Sequence, residues 1–228
     1  MVRFGRNNDQ EGKILNIGVY GGTFNPIHFG HLRTAEEVFY KFKLKQVIFV
    51  PSAQPPHKSD DEVIDPLHRL KMVTLAITGN EHFTASDLEI IRPGKSWTLE
   101  TIRELKKQNP DADFYFILGL DTFLEINTWY HWQELFIETN FIVTTRPGTA
   151  KVRPNQIIPA EIRSQFKWKA KLKEFVHNSG KRVIFNPVTN LDISATMIRK
   201  MVKEGQSIRY LLPRRVIEYI NENGLYKK

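Results

Sequence analysis

The chain has 228 residues, with 33 Lys and Arg against 25 Asp and Glu, 41% hydrophobic residues and no cysteine. The absence of cysteine excludes disulfides, thiolate nucleophiles and cysteine-based zinc sites, and is compatible with a reducing cytoplasm. The apolar content, with 15 Phe and 4 Trp, suits a globular domain with a sizeable core, and no stretch reads as a membrane span.

In chain order, residues 1–13 are polar and charged with no apolar centre, and read as a loose leader rather than a signal or transit peptide. Strands are predicted over Ile14 to Tyr20, Gln46 to Val50, His82 to Leu88, Phe114 to Leu118, Asn140 to Thr145 and Arg182 to Phe185. Helical spacing runs from Leu32 to Phe42, with Leu32, Ala35, Val38, Phe39 and Phe42 on one face and Arg33, Glu36, Glu37 and Lys41 on the other. Further helices are predicted over Pro66 to Ile77 (Leu67, Leu70, Val73, Ala76 and Ile77 apolar) and Thr98 to Lys107. This alternation predicts an α/β fold: a Rossmann-like doubly wound, mostly parallel sheet with a helical C-terminal part. That part holds Ser194 to Lys203 and Pro213 to Asn223, the second opened by Pro213 and stopped by Gly224. A single domain over residues 14–228 is expected. Within it, Pro147 to Lys181 is the segment that decodes least, an insertion with a helix predicted near Pro159 to His177.

Charge is unevenly placed. Arg146 to Arg182 holds ten Lys and Arg against Glu161 and Glu174, and the rest is neutral overall. Lys167, Lys169, Lys171 and Lys173 alternate with Trp168, Ala170 and Leu172, which suits a solvated edge or helix face. Steering of anionic ligands ranks next, and nucleic-acid binding last.

The chemistry is concentrated where the first strand hands over to the first helix. Gly21-Gly22-Thr23-Phe24-Asn25-Pro26-Ile27-His28-Phe29-Gly30-His31 combines glycines that let backbone approach a phosphate, a helix N-terminus that offers N–H groups to an anion, and two imidazoles three residues apart. Far along the chain, Ile193-Ser194-Ala195-Thr196-Met197-Ile198-Arg199 sets hydroxyls and a guanidinium on one helix tip. An ordinary capped helix explains the second motif alone. Paired with the first, it reads as a two-part triphosphate clamp.

The first motif resembles the T/HxGH signature of the nucleotidyltransferase superfamily, and the second resembles ISxTxIR. Later segments bring the chain close to the bacterial nicotinate mononucleotide adenylyltransferase family. Many members carry Asp where this chain has Asn25, which keeps the turn-capping amide and drops the charge. The resemblance implies AMP transfer from ATP to nicotinate mononucleotide in NAD biosynthesis. It implies His28, His31 and Arg199 as catalytic, and Gly21, Gly22, Thr23, Phe24, Gly30, Ser194, Thr196 and Asp121 on ATP. Asp121 stands in Gly119-Leu120-Asp121, where the family has Gly-Ala-Asp, placed to meet ribose hydroxyls.

For the mononucleotide it implies Lys58, in the proline-stiffened Ser52-Ala53-Gln54-Pro55-Pro56-His57-Lys58 loop, with Thr98, Trp129, Tyr130 and Arg146. Trp129 is the expected aromatic plate for a pyridine ring, and Trp132 the core residue nearby. Ser96-Trp97-Thr98 resembles the Ser-Tyr-Thr of nicotinate-selective members, although a simple Thr98 N-cap also explains it. No acidic cage is expected, so Mg²⁺ arrives with ATP. Phosphopantetheine- and cytidylyl-type transferases share the first motif and stay open as alternatives, as does, more distantly, an aminoacyl-tRNA synthetase relative. A homo-oligomer is compatible with the sequence.

Overall fold

The computed structural model describes residues 15–54, 63–145 and 157–227. The leader, His57, Lys58 and Arg146 lie outside them. Eight strands form one sheet: β1 (Leu15–Gly22), β2 (Gln46–Pro51), β3 (Phe83–Ala85), β4 (Ala112–Gly119), β5 (Asn140–Thr145), β6 (Phe166–Lys169), β7 (Glu174–His177) and β8 (Arg182–Pro187). Their spatial order is β3-β2-β1-β4-β5-β8-β7-β6. The first six in that order run parallel, and β7 and β6 are antiparallel. The order reverses direction between β1 and β4, the switch point at which open α/β sheets bind ligands.

The central strands are buried on both faces, so they read as nearly continuous apolar runs. Ile17, Val19, Phe114, Phe116, Leu118, Phe141 and Val143 pack on one side against α4 (Thr98–Gln108), α5 (Leu120–Leu124) and α6 (Trp132–Glu138), which follow the four-residue α3 (Leu88–Ile91). Tyr115, Ile117, Ile142 and Ile184 pack on the other. There they meet α1 (Phe29–Phe42), α2 (Pro66–Ala76), α7 (Ala195–Lys203) and α8 (Arg214–Glu222). None of the described helices is long and apolar enough to cross a membrane.

Three expectations are corrected. The helix predicted near Pro159 to His177 is a 3₁₀ turn (Ala160–Gln165) followed by the β6–β7 hairpin. The two-residue period of Lys167, Trp168 and Lys169 prevails because Phe175 and Glu174 pair across it and β8 extends the sheet beneath. The lysines stand exposed on a sheet edge, where they discourage further strand pairing. Lys181 is paired with Asp113 at 2.5 Å, and Arg182 donates to the Tyr115 hydroxyl at 2.7 Å.

The buried stripe of α2 also differs from the predicted one. Leu67 is 63% exposed, while Arg69 is wholly buried in line with Met72 and Val73. The strand predicted over His82 to Leu88 shortens to β3, because the chain turns at Ser86 and Asp87 into α3.

Candidate active site

A cleft enclosing about 570 Å³ opens over the carboxyl ends of β1 and β4. Its floor is Gly21 and Gly22. A Cβ on Gly21 would lie 2.8 Å from the Phe116 ring, so only glycine lets β1 pass this aromatic. Thr23 and Phe24 continue the wall. Phe24 adopts a left-handed backbone, φ 48°, at a cost of roughly 1–2 kcal/mol for a non-glycine residue. Its ring, 3% exposed, is held between Tyr20 and Phe49.

Three groups grip this turn from behind. Arg69 Nη1 donates to the Thr23 carbonyl at 2.9 Å, Arg199 Nη1 to the Asn25 carbonyl at 3.0 Å, and the Tyr226 hydroxyl to Asn25 Oδ1 at 2.8 Å. Burial pushes the Tyr226 phenol above the ordinary tyrosine range, so it stays a donor.

His28 is the N-cap of α1 and forms a reciprocal capping box with His31, whose Nδ1 accepts from the His28 N–H at 3.2 Å. Because Nδ1 accepts, the proton of the neutral His31 ring sits on Nε2. The two imidazoles stack at 3.7 Å and both line the cleft. A Cβ on Gly30 would lie 3.0 Å from the His28 ring and 3.8 Å from the Ile193 carbonyl, so the chain leading into α7 runs close beside the histidine turn. Ser194 and Ala195 belong to the same cleft wall.

Ser194 is the N-cap of α7, its Oγ accepting from the Met197 N–H at 3.1 Å. Thr196 and Arg199 sit one step back, the guanidinium Nη2 donating to Thr196 Oγ1 at 3.3 Å. Ser194→Ala is expected to lower stability by about 1 kcal/mol through the lost cap, read by chemical denaturation.

The opposite wall carries Gly119, Asp121, Thr98, Trp129 and Tyr130. Trp97 and Tyr130 stack at 4.8 Å, and the half-buried Trp129 meets Phe116 edge-on at 6.0 Å. Trp132 instead packs against the core beside Phe136. The N-cap of α4 is Trp97 rather than Thr98, with no side-chain cap, because an indole has no oxygen to accept from the first-turn N–H groups. Ser96 Oγ accepts from the Ala53 and Gln54 N–H groups at 2.8 and 3.3 Å, tying the loop after β2 to the start of α4.

Glu89, a cleft residue absent from the sequence expectations, accepts from Thr101 Oγ1 at 2.7 Å. A lone carboxylate within the apolar run Leu88-Glu89-Ile90-Ile91 is the signal that marks it. Burial raises its pKa, an effect only partly offset by hydrogen bonds to Thr101 and Ser96 and by Arg92. A carboxyl whose pKa is higher in the folded than in the unfolded protein favours folding below its unfolded value, and loses that advantage as pH rises through the folded one. Melting wild type and Glu89→Gln across pH 4 to 8 is therefore expected to show wild type losing stability relative to the variant as pH rises. A flat difference contradicts the assignment.

Among the described residues no three His, Asp or Glu side chains converge as a metal-holding group.

The cytidylyltransferase-like family pattern matches residues 19–201. A protein of Geobacter sulfurreducens named as a probable nicotinate-nucleotide adenylyltransferase is 42% identical over 212 residues, covering 93% of this chain and 98% of its own length. A protein of Syntrophotalea carbinolica with the same name is 43% identical over 213 residues, with coverages of 93% and 98%. Among solved structures, Plasmodium falciparum nicotinic acid mononucleotide adenylyltransferase complexed with NaAD superposes with a TM-score of 0.69 at 22% identity. It covers 93% of this chain and 97% of its own, a likeness of fold. By fold, cleft and these sequence matches, the chain belongs to the nicotinate-nucleotide adenylyltransferase family.

Proposed function

We propose that this cleft transfers AMP from MgATP to nicotinate mononucleotide, giving deamido-NAD and pyrophosphate. The observation that carries the reading is the lining of one cleft by His28, Gly30 and His31 together with Ile193, Ser194 and Ala195, with Arg199 of α7 bonded to the Asn25 carbonyl of the turn. It brings two anion-binding helix N-termini, those of α1 and α7, to one cleft.

The mononucleotide phosphate is already an anion at neutral pH, so no protein base is required. One of its oxygens attacks the α-phosphorus in line, the bond from that phosphorus to the bridging oxygen breaks, and negative charge grows on the departing pyrophosphate. The work of the protein is alignment and charge stabilisation. His31 Nε2–H and His28 meet the α- and β-phosphates. Ser194 and the α7 N-terminus meet the β- and γ-phosphates, while Arg199 holds the turn and Thr196. Asp121 accepts from ribose hydroxyls. Magnesium enters as part of the MgATP substrate, coordinated by phosphate and water.

Trp129, with the Trp97–Tyr130 stack, offers faces for the pyridine ring. Backbone N–H groups at the start of α4 favour the nicotinate carboxylate over a neutral amide. Lys58 and Arg146 are assigned to the mononucleotide by family resemblance alone. The reading places the reaction in the cytoplasm.

The test is incubation with ATP, Mg²⁺ and either nicotinate or nicotinamide mononucleotide, measuring pyrophosphate and the dinucleotide formed. Faster turnover of the nicotinate form is expected. Equal rates overturn the specificity, and no pyrophosphate with either overturns the function.

A further inference from the structure

Among the described residues that line the cleft, Glu89, Asp121 and Glu125 bring carboxylates, and none is Lys or Arg. A triphosphate is a multiply charged anion, and two imidazoles with backbone N–H groups are a thin counterweight to it. Among the described residues, Arg69 and Arg199 are cations bonded to the turn from behind the cleft wall.

Arg69 occupies a core-facing position of α2 and is 0% exposed. Its three bonds all go to backbone carbonyls: Nη1 to Thr23 at 2.9 Å, Nη2 to Ala53 at 3.0 Å and Nε to Ile64 at 2.9 Å. Asp65, Glu89 and Tyr226 act on it only through space, without a bond. Burial lowers its pKa to about 10, which leaves it charged at neutral pH. A buried cation whose bonds all go to carbonyl dipoles is costly to the fold, and an apolar side chain is the ordinary occupant of such a position. What distinguishes this site is its neighbour, since the Thr23 peptide that Arg69 holds is part of the cleft wall. In a trans peptide the C=O and N–H point in opposite directions. With the Thr23 carbonyl fixed on the guanidinium, the Phe24 N–H is aimed away from it.

We infer that Arg69 is a fixed counter-charge for the bound triphosphate, a positioning residue that acts through the Thr23 peptide and does not touch the ligand. The inference rests on ATP as the occupant of the cleft. In the low-dielectric layer behind the turn, a charge is weakly screened and its attraction reaches across one peptide. The cost of burying this cation is offset when the polyanion binds.

The test compares wild type, Arg69→Gln and Arg69→Lys as full chains, with thermal melts as the check on folding. Dissociation constants are measured for ATP and for adenosine, which lacks the phosphates. Arg69→Gln keeps an amide donor and loses the charge. It is expected to bind ATP about 10-fold or more weakly while adenosine stays within about 3-fold. Arg69→Lys restores a cation and recovers part of the ATP affinity. The inference is overturned if folded Arg69→Gln binds ATP as wild type does, if it loses both ligands alike, or if Lys does no better than Gln. Should the Gln variant not fold, Arg69→Met, which removes the charge and suits a buried position, decides: a loss confined to ATP supports the role, and no loss or an equal loss for both ligands overturns it. Lack of pyrophosphate release by wild type sinks the adenylyl-transfer reading separately, leaving the ATP and adenosine constants to judge Arg69.

Discussion

His31→Ala is expected to lower kcat by about 10²–10³, the scale for losing one preorganised donor aimed at developing charge. Two side-chain roles are lost together. The imidazole Nε2–H that faces the phosphates disappears, and so does the Nδ1 acceptor that satisfies the His28 N–H at the mouth of α1. His31→Gln separates them, because an amide oxygen restores the acceptor while the ring donor stays absent. If the kinetic loss follows the donor, Gln and Ala are equally slow, though the Gln variant melts closer to wild type. Single-turnover rates with saturating substrates provide the measurement. Turnover within a few-fold of wild type in the alanine variant contradicts the catalytic role.

Trp129→Ala is expected to raise KM for nicotinate mononucleotide by about 10- to 100-fold, the range of roughly 1–3 kcal/mol for a lost stacking face, with KM for ATP nearly unchanged. Trp129 lines the cleft and packs on Phe116 of β4, and in the proposed reading it serves the mononucleotide, so the effect is confined to one substrate. Trp132→Ala is the contrasting control, since that ring packs on Phe136 in the core and its removal is expected to cost stability rather than substrate affinity. A selective ATP defect in Trp129→Ala reverses the assignment of the two halves of the cleft.

The parts of the site legible in the sequence are those whose signal is local. The passage from β1 through Gly21 and Gly22 into the apolar stripe of α1 changes period within a dozen residues, and both histidines fall where that change requires. Ser194 is legible for the same reason, as a capping residue just before a helical stripe. Arg69 was hidden because hydropathy treats a guanidinium as wet. Only the three-dimensional meeting of Thr23, Ala53 and Ile64 supplies the carbonyls that make its burial tolerable. The β6–β7 hairpin was hidden because β7 needs β8 as a partner, and edge pairing of that kind leaves only a weak alternation among the lysines. Trp97 was expected at the opening of a helix, but its stacking on Tyr130 joins residues 33 positions apart and has no local signature.

The bond from Tyr226 to Asn25 joins positions 201 apart. During synthesis every cleft-lining side chain has emerged well before this phenol does, yet the strained bend at Phe24 is not fully braced until it arrives. A shortened chain ending at Pro213 would keep both imidazoles and the α7 tip while leaving Asn25 without its distal anchor. Competence would thus trail assembly of the sheet, set by the closing of this long-range contact.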